Sequence, residues 1–128
     1  MHSVRFRLAP AVAGLLLCVS AQASAQLPAI QSATYVGGLA APVGMVHWIF
    51  HRSNWTIGDY CYLQDLFVAP GVRGGGVGRA LIESVYEAAR RAGSPRVYWL
   101  THESNAEAIT LYDRVADRSG FVQYRKVL

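Results

Sequence analysis

Two stretches of the chain carry apolar side chains in the manner of strands. Val43 to His51 and Tyr60 to Val68 are rich in aromatic and β-branched residues, and the segment between them, Arg52 to Asp59, holds Ser53, Asn54, Gly58 and Asp59. Such runs on either side of a polar, glycine-containing segment predict an antiparallel hairpin with a longer loop. At Val77 the period changes. Val77, Leu81, Val85 and Ala88 or Ala89 recur every three to four residues, with Glu83, Glu87 and Arg90 interleaved. That spacing predicts an amphipathic helix ending near Gly93 and Pro95. Arg96 to Thr101 is another short apolar run and reads as a strand, placed parallel to its predecessor by a right-handed crossover. Ser104 and Glu107 form an S-x-x-E capping box before a second helix, whose apolar face is Ala108, Leu111, Tyr112 and Val115. Gly120 supplies a helix stop and Phe121 to Val127 a closing strand. The order β-β-α-β-α-β predicts an α/β fold with one mixed sheet flanked by helices.

The upstream part reads differently. Leu27 to Pro42 is poor in charge and holds Gly37, Gly38 and Pro42, which predicts an extended or irregular lead-in over residues 26–42. Arg5 and Arg7 precede the apolar stretch Leu8 to Val19, and Ala23-Ser24-Ala25 follows with small residues where a signal peptidase cuts. Residues 1–25 thus have the pattern of a cleaved leader, the alternative being a core helix or a translated upstream segment. The apolar stretch is shorter than the roughly 20 residues of a relaxed membrane span, so no stable span is expected. Leu17 directly before Cys18 also disfavours a lipoprotein.

Composition narrows the function classes. At 128 residues the chain holds one domain, and with 52% hydrophobic and 16% charged residues it is a folder and not a disordered chain. The net charge of +4 comes from scattered arginines, so the chain lacks a nucleic-acid stripe and is better suited to small anions. Cys18 and Cys61 have neither CxxC spacing nor enough partners for a disulfide framework or a zinc site. His47 and His51 lack a third ligand, and His102-Glu103 begins an H-E-x-x-H that fails at Ala106, so no metal is expected. Trp48, Trp55 and Trp99 read as core or pocket wall.

The chemistry concentrates between the second hairpin strand and the first helix, in Ala69-Pro70-Gly71-Val72-Arg73-Gly74-Gly75-Gly76. A glycine-rich turn at a helix N-terminus aims backbone N–H groups outward with no β-carbons to block a ligand, which makes an anion site. No G-x-x-x-x-G-K-[ST] can be laid on it, and G-x-G-x-x-G fails because Arg79 follows Gly78.

Arg73-Gly74-Gly75-Gly76-Val77-Gly78 resembles the R/Q-x-x-G-x-G/A pyrophosphate loop of the Gcn5-related N-acetyltransferases, the GNAT family. Tyr62 to Pro70 resembles the strand before that loop, Asn105-x-x-Ala108-x-x-Leu111-Tyr112 the second helix on the donor side, and Gly120-Phe121 the closing dipeptide. Leu63 to Val68, Thr101 to Asn105 and Leu111 to Val115 look most similar to the polyamine and histone acetyltransferase-like branch. The resemblance covers residues 43–128 and implies a GNAT domain without the family's N-terminal strand and helices. It implies transfer of an acetyl group from acetyl-CoA, as co-substrate, to a primary amine of a small molecule, polyamine or lysine.

Carried over, main-chain groups of Leu66, Phe67 and Val68 would pair with the pantetheine arm. Arg73, Gly74, Gly75, Gly76, Val77 and Gly78, with Arg79 beside them, would hold the diphosphate. Asn105 would contact pantetheine, and Tyr112 would be the general acid, its plainer reading being a core aromatic. Gln64 stands where related chains often carry a glutamate, and an amide takes up no proton at neutral pH, which leaves Asp65 and Glu103 as candidate bases. A homodimer is one way to complete the shortened acceptor wall. Use of acetyl-CoA implies the cytoplasm, whereas the leader pattern implies export. The competing readings are a CoA-binding remnant without catalysis and an exported binding protein.

Overall fold

The hairpin expected from the sequence is the centre of the fold. A computed structural model describes residues 3–6, 16–20, 30–36 and 41–128. Among the described residues six strands form one sheet in chain order: β1 (Ser3–Phe6), β2 (Leu16–Ser20), β3 (Gln31–Val36), β4 (Pro42–His51), β5 (Tyr60–Val68) and β6 (Val97–Tyr98). Neighbours from β1 to β5 are antiparallel, and β6 runs parallel to β5. Helix α1 (Val77–Arg91) makes the crossover and α2 (Ala106–Tyr112) follows β6.

The core lies between α1 and one face of β3 to β6. Alternate residues of each strand point to that face: Ala33 and Tyr35 of β3, Val46 and Trp48 of β4, Cys61 and Leu63 of β5 are all buried. Against them α1 buries Val77, Leu81, Ile82, Val85, Ala88 and Ala89, the stripe expected from its period. Ser84, also buried, satisfies its hydroxyl on the Leu81 carbonyl at 2.7 Å. Gly93, with φ +68, ends the helix as expected.

One irregularity sets up the site. His47 is paired with Asp65 but Trp48 with Leu63, so Gln64 is an extra residue in β5, a β-bulge. A side-chain period of two would otherwise have carried Asp65 and Phe67 to the helix side. The bulge instead turns Leu66 and Val68 inward, packed on the core, and leaves Asp65 and Phe67 exposed on the other face.

Several expectations are corrected. The lead-in contains a strand, β3, whose alternation of buried Ala33 and Tyr35 was hidden by small and polar neighbours. The Arg96 to Thr101 strand shrinks to Val97–Tyr98. No strand forms over Phe121 to Val127, where Phe121 is 87% and Tyr124 91% exposed. A strand needs an edge to pair with, and a two-residue β6 offers none long enough. The capping box is absent: Asn105 is the N-cap of α2 without a side-chain hydrogen bond, and Ser104 Oγ lies 2.7 Å from His102 Nδ1. Gly120, at φ +76, lies beyond a helix that has already ended at Tyr112. Trp48 is fully buried and Trp99 packs on the core, but Trp55 is 90% exposed in the hairpin loop.

The end of the stretch read as a leader forms β2, paired with β3 from Leu16↔Val36 to Ser20↔Ser32. Residues 7–15 and the Ala23-Ser24-Ala25 cleavage pattern lie outside the described residues. Among the described residues no helix is long and apolar enough to cross a membrane.

Candidate functional site

The site grows from a strand edge that lacks a neighbour. β5 pairs with β6 only at Cys61↔Val97 and Tyr62↔Tyr98. From Leu63 to Val68 that edge therefore meets no strand among the described residues. Edge N–H and C=O groups need partners, and one is supplied where Arg73 Nε donates to the Val68 carbonyl at 3.2 Å.

After β5 the chain makes a short 3-10 turn, Pro70–Val72, and then the glycine-rich turn into α1. Gly76, the N-cap of α1, has φ +84, a left-handed backbone that glycine adopts without strain. It brings no side chain to cap the helix, and the first turn contains no acidic residue. Ala80 N–H bonds the Gly76 carbonyl at 3.0 Å, so the N–H groups of Val77, Gly78 and Arg79 sit ahead of the first intrahelical bond. Together with the positive end of the helix dipole they favour an anion. A β-carbon at Gly74 or Gly76 would meet nothing within 4 Å, so the space in front of the turn is open. Gly78 has a different reason to be glycine. A β-carbon there would lie 3.1 Å from Leu111 Cδ2 and 3.6 Å from Val68 Cγ2, so its absence lets α1, α2 and β5 converge.

At that convergence lies a cavity of about 490 Å³. The residues expected to hold the donor all line it, except Phe67, which the bulge turns to the opposite face, and Gly75. Asn105 also bonds Thr101 Oγ1 through its amide nitrogen at 3.2 Å. Tyr112 lines the same cavity and stands edge-on to Trp99, ring centroids 5.3 Å apart. Burial raises its pKa above the ordinary tyrosine value of 10.0, so the phenol is protonated at neutral pH.

The two carboxylates proposed as bases do not line the cavity. Asp65 is on the opposite sheet face, 3.4 Å from His47 Nδ1. Glu103 is exposed in the loop before α2. Sequence reasoning missed Thr110 and Arg114 as cavity residues and read Glu107 as a cap; it pairs instead with Arg73 at 3.2 Å. The signal was available, since Glu107 and Leu111 stand four apart on one side of α2 and Arg114 follows three residues on, in the turn after it. Cys61 is fully buried and its thiol is pushed up to about 12, which makes it inert at neutral pH. Among the described residues no group of three or more His, Cys, Asp or Glu side chains is placed to hold a metal.

Residues 26–116 match the model of the Acetyltransferase (GNAT) family. The chain belongs to that family. The match takes in the lead-in over 26–42 as well as the hairpin and helices. Curated relatives align with it, two N-acetyltransferases among them. The D-amino-acid N-acetyltransferase of Saccharomyces cerevisiae is 39% identical over 84 residues, 66% of this chain and 52% of that protein. The thialysine N-epsilon-acetyltransferase of Caenorhabditis elegans is 36% identical over 74 residues, 58% of this chain and 46% of that one. The chain thus spans about half the length of these relatives. Among solved structures, AAC(6')-Iy in complex with the bisubstrate analog CoA-S-monomethyl-acetylneamine superposes with a TM-score of 0.66 at 18% identity. That match covers 77% of this chain and 70% of AAC(6')-Iy, and it shows a shared GNAT fold.

Proposed function

We propose that the protein is an N-acetyltransferase that moves the acetyl group of acetyl-CoA to a primary amine of a small molecule, polyamine or lysine-like compound. The observation that carries this reading is the convergence of three features on one cavity: the open edge of β5, the uncapped N-terminus of α1 behind its glycine turn, and protonated Tyr112. The relatives' acceptors, a D-amino acid and thialysine, share a primary aliphatic amine, which supports that acceptor class.

Each part of the cavity has a task in this chemistry. The N–H groups after Gly76 and the Arg73 guanidinium suit a diphosphate. The free main-chain groups of β5 suit the amides of a pantetheine arm, which would add to the sheet like a short strand. Acetyl-CoA supplies an activated thioester. The neutral amine forms the new C–N bond at the carbonyl carbon, the C–S bond breaks, and Tyr112 gives its proton to the departing sulfur. A phenol held protonated by burial is suited to that donation, and the proton that the nitrogen sheds on becoming an amide, passed through solvent, restores it. The amine must first lose a proton, and Asp65, on the sheet face opposite the cavity, is the proposed acceptor for an amine that approaches from that face, with Glu103 as the alternative. Supply of acetyl-CoA favours a cytoplasmic site of action.

The test is release of free thiol from acetyl-CoA by the full chain, against a panel of D-amino acids, thialysine, lysine and polyamines. Amine-dependent release with acetylated product by mass spectrometry is the expected result. Binding of acetyl-CoA with no transfer to any amine would replace this reading with that of a CoA-binding protein without catalysis.

A further inference from the structure

Three arginines line the cavity, Arg73, Arg79 and Arg114, and their surroundings differ. Arg73 is paired with Glu107 at 3.2 Å and Arg79 with Glu83 at 3.5 Å. Arg114 is exposed and has no carboxylate partner among the described residues. The next acid along, Asp113, is taken by Arg118 through two contacts of 3.0 and 2.8 Å. A cation left without an anion, on the wall of a cavity whose other arginines are paired, is available to a ligand.

Its position along the cavity narrows that ligand. Three contacts fix the relation of the helices: Glu107 to Arg73, Leu111 against Gly78, and the Tyr86 hydroxyl donating to the Val115 carbonyl at 2.8 Å. Both members of each pair advance along the chain together, so α2 runs beside α1 in the same direction. Arg114 therefore lies past the glycine turn, at a level between Gly78 and Tyr86. With Arg79 and Thr110 it makes the stretch of wall beyond the diphosphate cradle. A ligand that places a diphosphate at the turn and also engages Arg114 must carry a further anion.

Coenzyme A carries such a group, the phosphomonoester on the ribose 3′ oxygen, beside its diphosphate. We propose that Arg114, with Arg79, binds that 3′-phosphate and makes the site selective for phosphorylated over dephosphorylated forms of the carrier. The inference rests on the acetyl-CoA reading above and adds a specificity-determining residue to it. A guanidinium suits the role because its planar fork meets two oxygens of a phosphate at once.

The test is calorimetric titration of the full chain with coenzyme A and with 3′-dephospho-coenzyme A, repeated for Arg114→Gln, Arg114→Lys and Arg118→Gln. The wild type should favour coenzyme A by about tenfold, the order expected for one charge-assisted, solvent-accessible phosphate contact. Arg114→Gln should weaken coenzyme A alone and bring the ratio close to one. Arg114→Lys should restore part of it, and Arg118→Gln should leave it unchanged. A wild type that binds both ligands equally, or an Arg114→Gln protein that keeps the wild-type ratio, overturns the assignment while leaving the acetyl-CoA reading intact. A wild type that binds neither ligand overturns both.

Discussion

The two faces of the sheet solve different problems. On the face toward α1, strands and helix bury Val46, Trp48, Cys61, Leu81, Ile82 and Val85 completely or nearly so. On the other face Met45 is 38% and Phe67 51% exposed, and the polar pair His47 and Asp65 sits among them. The packed face also holds the cavity at its margin, because the bulge at Gln64 and the early end of β6 leave the β5 edge open beside α1 and α2. The elements around the cavity are contiguous and mutually packed, whereas no described helix covers the face that bears the candidate base.

The largest effect that sharpens this contrast is on stability. Trp48→Ala should cost about 3–5 kcal/mol, since it empties a fully buried site and strands the Gln31 side chain that accepts from its indole at 3.0 Å. Chemical denaturation monitored by circular dichroism measures it. Next comes catalysis: Tyr112→Phe keeps the edge-on contact with Trp99 and should lower kcat about a hundredfold while leaving the dissociation constant of acetyl-CoA nearly unchanged. Equal turnover in the two proteins would remove Tyr112 from the mechanism. On the open face Met45→Ala should change stability by less than about 1 kcal/mol. A loss as large as that of Trp48→Ala would mean that the faces are not different in kind.

The smallest effect is one of pH. Burial raises the Cys61 thiol from 9.0 to about 12, and it also raises Tyr35, Tyr86, Tyr98 and Tyr112 above 10.0. Each group is easier to deprotonate in the unfolded chain, so its contribution is fully present below the unfolded value and lost as pH climbs through the folded one. Tm should therefore be flat in these groups at neutral pH and fall from about pH 9 toward 12. Cys61→Ala should delay the onset of that fall.

How much was legible follows from where the information is local. The hairpin, α1 and the glycine turn were readable because each is set by its own residues: alternation in the strands, the Val77, Leu81, Val85 stripe, and glycines at φ +76 and +84. The bulge was not, because only pairing with β4 reveals that Gln64 has no partner, and it is the bulge that sends Asp65 away from the cavity. The closing strand failed for the same reason. Phe121, Val122, Tyr124 and Val127 have strand-like chemistry, but a strand also needs a neighbour with a free edge. Arg114 escaped notice because its meaning lies in what it does not pair with.

The central claim, that the turn into α1 grips the anionic donor, is tested most directly by thermal unfolding with and without acetyl-CoA for the wild type and Gly76→Asp. Aspartate tolerates a left-handed backbone better than most residues, and it would place a carboxylate where the diphosphate belongs. The wild type should be stabilised by about 2.7 kcal/mol at a hundredfold excess over the dissociation constant. Gly76→Asp should fold and show no response. Equal stabilisation of both proteins would contradict the account.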